Sequence, residues 1–121
     1  MIGKLKCPDG CGMDLDDSIK WIAQSIEKEI GQELDVTSGA RCPKYNATIA
    51  GSIAGDAHTM GKAIDIFIDG TTPQGRELAA RIVIAAVKAG IKRFGDGILK
   101  HSYLHIDCSA DLPNPRMWFY P

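Results

Sequence analysis

Apolar positions along the chain fall into two periods. Ile19, Ile22, Ala23, Ile26 and Ile30 recur at the spacing of one helical face, behind a turn-rich acidic lead-in over residues 8–17 and ahead of Gly31. This predicts a helix that stops at Gly31. Thr72-Pro73 opens a second helix, which runs to about Ala89 and ends at Gly90. Between them, Leu34–Ser38 reads as a short strand, and Pro43–Ala50 as a short helix begun by Pro43 and ended by Gly51. Gly51, Gly55 and Gly61 mark an irregular loop over 51–61. The clearest period of two lies in Lys62–Asp69, where Ile64, Ile66 and Ile68 share one face and Ala63, Asp65 and Phe67 the other. Ile91–Phe94, a Gly95-Asp96-Gly97 turn, Ile98-Leu99 and a strand over Tyr103–Cys108 complete the series. Strands grouped apart from two main helices imply an α+β fold with a mainly antiparallel sheet.

No repeat, low-complexity tract or linker divides the 121 residues, which read as a single domain over 1–121. Hydrophobic residues at 45% and charged residues at 24% are ordinary globular values. With 14 Lys+Arg against 15 Asp+Glu, the net charge is −1. That balance, with no basic cluster, argues against nucleic acid as a partner. No apolar run reaches the roughly 18 residues of a membrane span, so no membrane partner is expected. Met1–Cys7 lacks an apolar core and a small-residue cleavage site, so it is not read as a secretory signal. The chain is expected to act as a monomer.

Cys7, Cys11, Cys42 and Cys108 are expected to be reduced thiols. Zinc on four thiolates would need two close pairs, and only Cys7 and Cys11 are close in sequence. The preferred reading is small buried side chains around a tight N-terminal turn.

The three histidines carry the candidate chemistry. His105 and Asp107 sit two apart on one strand and so project from one face, opposite Leu104, Ile106 and Cys108. Asp65 faces away from its isoleucine row, and His58 precedes it by seven residues, with Gly61 letting the chain fold back. Two imidazoles and a carboxylate from separate segments are ligands that zinc accepts, with a fourth position left for water.

Around these residues the chain reads Ser38-Gly-Ala-Arg41 with Asn46 following, then Asp56-Ala-His58-Thr-Met-Gly61-Lys-Ala63-Ile-Asp65, then Tyr103-Leu-His105-Ile-Asp107. In this order the three motifs resemble the zinc D-Ala-D-Ala carboxypeptidase family. That family includes peptidoglycan endopeptidases of bacteria and phages, and shares its fold with the hedgehog signalling domain. Arg116-Met-Trp118 is similar to the ending of one branch, and the likeness spans about residues 5–120. It implies one zinc per chain on His58, Asp65 and His105, and an Arg41 that holds a substrate carboxylate or polarises the scissile carbonyl.

For the general base, some branches have a Glu where Ser102 stands, which cannot serve; the branch nearest this chain reads His-x-Asp and points to Asp107. Its competing role is to orient a ligand imidazole. His101 is a further candidate for stabilising the transition state, and Arg41, Asp56, His101 and Ser102 are the expected substrate-binding set. Asp56 replaces the family's Ser two residues before the first ligand, which bears on substrate preference. The implied activity is hydrolysis of a stem-peptide bond in peptidoglycan by zinc-activated water. The alternative is an inactive zinc-containing binding module of the same fold. With no signal sequence read, synthesis in the cytoplasm and phage-type release to the periplasm or cell wall is the expected route.

Overall fold

The computed structural model describes all residues, Met1–Pro121. Strands β1 (Ile2–Gly3), β2 (Asp35–Ser38), β3 (Ala63–Phe67), β4 (Arg93–Gly97), β5 (Tyr103–Asp107) and β6 (Arg116–Phe119) form one sheet in the order β1-β2-β3-β5-β4-β6. The three central pairings are antiparallel, while β1 lies parallel to β2 and β6 parallel to β4. The α+β fold therefore holds, with a mixed sheet whose parallel pairings are confined to its edges.

Helices α1 (Asp17–Ile30) and α3 (Pro73–Lys88) pack on one face of this sheet. Asp16 caps α1 by accepting from Ser18 N, and Gly31 closes it at φ 75°. Thr72 caps α3, and Gly75 in its first turn lies so near Asp69 that a Cβ would stand 1.7 Å from the Asp69 carbonyl oxygen. The helices bury Ile19, Ala23, Ile26, Ala79 and Ile82 against Val36, Ile64, Ile66, Leu104 and Ile106 of the strands. At about 1.5–3 kcal/mol for each large aliphatic side chain removed from water, this layer fixes which face of β3 and β5 turns inward. No helix is long and apolar enough to cross a membrane.

The structure corrects the sequence reading between residues 91 and 102. Gly95-Asp96-Gly97 is not a turn but the second half of β4, paired with His105, Leu104 and Tyr103. Its glycines leave room for rings: a Cβ on Gly95 would stand 2.6 Å from Trp118 Nε1, and one on Gly97 3.2 Å from the Tyr103 ring. The reversal comes later, through the short helix α4 (Ile98–His101), which takes in Ile98-Leu99, and Ser102 at φ 60°. The helix expected over 43–50 is only α2 (Pro43–Asn46), and the loop over 51–61 contains a 3₁₀ turn at Ala57–Met60. The expectation of small buried cysteines holds only for Cys7; Cys42 and Cys108 are half-buried and Cys11 is exposed.

Candidate metal centre

On the sheet face away from the helices, side chains line up across strands. Ser38 pairs with Asp65, Asp65 with His105, His105 with Gly95, and Gly95 with Trp118. One step along, Ala63, Asp107, Arg93 and Arg116 form a second row. Residues two apart on a strand share a face, so both rows contribute to one polar patch on an otherwise apolar sheet.

His58 reaches this patch from outside the sheet. Its 3₁₀ turn is capped by Asp56, which accepts from Thr59 N at 3.2 Å, and closed by Gly61 at φ 69°. Aspartate and serine are both good caps, so Asp56 performs here the local task that a serine would. His58 Nδ1 lies 2.7 Å from the Gly39 carbonyl oxygen. A carbonyl only accepts, so Nδ1 carries the hydrogen and Nε2 presents its lone pair, 3.3 Å from Asp65 Oδ1. His105 is turned the other way: Nε2 lies 2.7 Å from Asp107 Oδ2, and Nδ1 lies 3.0 Å from Asp65 Oδ1. The two rings stand 5.0 Å apart, nearly edge to face.

Two imidazole lone pairs and a carboxylate oxygen thus point at one another in a buried site. That convergence needs positive charge among them. Protons supply some: burial works against a charged His105, but the carboxylates of Asp107 and Asp65 outweigh it and push the imidazole up to about 9. Asp65 is likewise opposed by burial, yet the His105 and His58 imidazoles set against it hold it well below the usual carboxylate range. A divalent cation would supply the same charge at a single point. The three ligand atoms lie within 4.8 Å of one another. The 3.0 and 3.3 Å separations from Asp65 Oδ1 match the roughly 3.3 Å edge of a tetrahedron with bonds of about 2.05 Å. His58, Asp65 and His105 therefore fit a tetrahedral ion and would leave it an open position.

Arg41 closes one side. Its Nε donates to Ser38 Oγ at 2.9 Å, one terminal nitrogen to Asn46 Oδ1 at 3.1 Å, and the other to Asp65 Oδ2 at 3.3 Å. Asn46 is held in turn by donating from Nδ2 to the Ile53 carbonyl at 3.1 Å. The guanidinium is only 9% exposed and fixed by three segments, far from the exposed surface ion pair that an isolated arginine suggests.

Asp107 sits two residues beyond His105 on β5. Read from sequence as a general base, it is 0% exposed, and both its oxygens are engaged. Oδ2 accepts from His105 Nε2, while Oδ1 accepts from Arg93 Nε at 2.8 Å and Ser109 N at 3.1 Å. This is the orienting role: Asp107 fixes the His105 tautomer and keeps Nδ1 aimed at Asp65.

Of the expected substrate-binding residues, Arg41, Asp56 and His101 line a cleft of about 690 Å³ over the ligand triad. Ser102 does not; it occupies the left-handed position after α4, and its carbonyl accepts from Ile68 N at 2.9 Å. His101 is exposed, with Nε2 2.8 Å from the Pro121 carbonyl oxygen.

The sequence reading missed three members of the site. Arg93 pairs with Asp107 and stacks its guanidinium 5.0 Å from the Trp118 ring centre. Tyr103 and Tyr120, 5.1 Å apart, continue the aromatic wall on which Trp118 lies 5.1 Å from His105. Arg93 lies beside a second cation, Lys92, in the short segment Ile91–Phe94, and nothing in the sequence singled it out.

Comparison with known families agrees with this geometry. A family model described as peptidase M15 matches residues 6–107, which takes in every ligand-type residue of the cleft but stops short of Arg116, Trp118 and Tyr120. No curated protein and no solved structure matches the chain.

Proposed function

The chain belongs to the peptidase M15 family, and from that premise we propose that it hydrolyses a peptide bond in peptidoglycan stem peptides with the aid of one zinc ion at this centre. The observation that carries the reading is the convergence of His58 Nε2, Asp65 Oδ1 and His105 Nδ1 beneath an open cleft. When bound there, zinc supplies Lewis-acid polarisation of a carbonyl and an activated water at neutral pH.

The chain's own residues do the rest. Asp107 and the Gly39 carbonyl hold the two ligand imidazoles in the tautomers that leave the inward nitrogens free. Arg41 has five N–H donors and spends three on Ser38, Asn46 and Asp65. Arg41 lines the cleft, and its remaining donors suit either the oxygen of the scissile carbonyl or a substrate carboxylate. Arg116 at the rim offers a second anchor for a carboxylate, and the Trp118 ring gives the peptide a flat wall. With Asp107 committed to His105, proton transfer falls to His101. The residue lines the cleft, and its Nε2–H donates to Pro121, which leaves Nδ1 as an acceptor. The substrate is that of the family the sequence motifs resemble, and such a substrate would put the site of action in the periplasm or cell wall.

A second reading, a zinc-containing module that binds stem peptides without cutting them, draws on one observation: the carboxylate beside the ligands is sequestered. Incubating the zinc-loaded protein with purified peptidoglycan and synthetic stem peptides, and identifying products by mass spectrometry, separates the two. New amine and carboxyl ends are expected from the wild type and none from His58→Ala or His105→Ala. A zinc-loaded wild type that binds the peptides but leaves them intact would overturn hydrolysis in favour of binding.

A further inference from the structure

A second group of ligand-type side chains lies apart from the cleft and has no part in the chemistry above. Cys7, Asp9 and Cys11 belong to the N-terminal Cys-Pro-Asp-Gly-Cys-Gly segment, and Cys42 caps the start of α2. Their three sulfurs and a carboxylate oxygen all lie within 4.8 Å of one another. We propose that Cys7, Cys11, Cys42 and Asp9 bind a structural zinc ion that locks the N-terminal segment onto the loop carrying Arg41.

The arrangement is not explained by packing. Only Cys7 is buried, while Cys11 and Asp9 are exposed, so the thiols are not filling an apolar gap. Two sulfurs from segments 35 residues apart in the chain grip the two oxygens of one carboxylate: Cys7 Sγ lies 3.1 Å from Asp9 Oδ1, and Cys42 Sγ lies 3.0 Å from Asp9 Oδ2. Backbone donors are also turned toward sulfur, Cys42 N at 3.3 Å from Cys7 Sγ and Tyr45 N at 3.4 Å from Cys42 Sγ. Gly10 at φ 80° and Gly12 at φ 86° flank Cys11 and curl the segment so that its sulfur returns to the side of Cys7. Three thiolates and one carboxylate make a closed tetrahedral set for zinc, with no position open for substrate. Cys108 takes no part; its sulfur lies 3.4 Å from Ser18 Oγ.

Binding would displace a proton from each of the three thiols to solvent, and no electron changes hands. The gain is positional. Ala40 N donates to the Leu5 carbonyl at 2.9 Å, and Gly39 lies so close beneath that carbonyl that a Cβ would stand 2.4 Å from its oxygen. The clamped segment therefore presses on the residue whose carbonyl fixes the His58 tautomer, and Cys42 is the immediate neighbour of Arg41. The inference is independent of whether the cleft hydrolyses anything.

It raises the expected zinc content from one to two per chain, which elemental analysis reads directly. Wild type should carry two zinc ions, the His58→Ala/His105→Ala double variant one, and Cys11→Ser one. Loaded with cobalt instead, the double variant should show sulfur-to-cobalt charge-transfer absorption in the near ultraviolet. Should Cys11→Ser fail to fold, thiol counting on the wild type decides: three thiols shielded from alkylation until a chelator is added. A wild type with a single zinc that the double variant loses, a double variant with no such absorption after reconstitution under reducing conditions, or thiols equally reactive with and without chelator would each overturn the proposal.

Discussion

Asp107 Oδ2 lies 2.7 Å from His105 Nε2, two residues back on the same strand, and this contact decides which nitrogen of His105 meets the cleft. A buried carboxylate that accepts from one imidazole nitrogen fixes the hydrogen there and turns the other nitrogen to the cleft, where a metal would take the place of its second proton. The same carboxylate is tied on its second oxygen by Arg93, so that it cannot swing away.

Asp107→Asn should therefore weaken metal binding by about 10–100-fold, the usual loss when a carboxylate behind a ligand histidine is removed. Chelator competition measures this. Were Asp107 the general base instead, zinc affinity would stay near wild type while hydrolysis collapsed.

His101→Ala tests the other half of that assignment. It should keep its metal and its fold, because the side chain is exposed, hydrogen-bonds only the Pro121 carbonyl and otherwise lies beside the Tyr103 ring. Turnover on stem peptides should fall by roughly 10²–10⁴-fold, the range of general acid–base catalysis, with KM little changed. Wild-type kcat in this variant would remove His101 from proton transfer.

Arg41→Lys should lower hydrolysis on the order of 10²–10³-fold, comparable to losing one preorganised donor at a developing oxyanion. A lysine ammonium cannot reach Ser38, Asn46 and Asp65 together while still presenting donors to the cleft. Steady-state kinetics on stem peptides alongside zinc content checks this, with zinc retained.

Much of this site was legible in the sequence because it rests on alternation. The isoleucine row of β3 had to face the helices, which sent Asp65 to the other side, and the same rule put His105 and Asp107 together on β5. Asp65 and His105 prove to be direct cross-strand partners. What alternation cannot supply is register between strands distant in sequence. Arg93 meets Asp107 only because β4 and β5 pair at that step, and Trp118 meets His105 across Gly95 for the same reason. Gly95-Asp96-Gly97 read as a turn because glycine marks both reversals and close approaches, and only the tertiary structure, with aromatic rings packed on that backbone, tells them apart. The role of Asp107 stayed open in the sequence because sharing a face with His105 fits a base and an orienting group equally well. The burial and the Arg93 partner that distinguish them are tertiary facts.

Gly95→Ala probes that close approach. The added methyl would meet Trp118 Nε1 at 2.6 Å and Tyr120 at 2.8 Å, so the aromatic wall must shift outward. Overpacking of this kind costs about 1–3 kcal/mol. A lowered Tm and altered tryptophan fluorescence are expected, with zinc retained because none of the three ligands is touched.

The most direct test is a difference map from crystals grown with zinc, using anomalous scattering at the zinc edge. The account predicts a peak about 2.0–2.2 Å from His58 Nε2, His105 Nδ1 and an Asp65 carboxylate oxygen. No peak at that position, or a peak on the Nε2 side of His105, would contradict it.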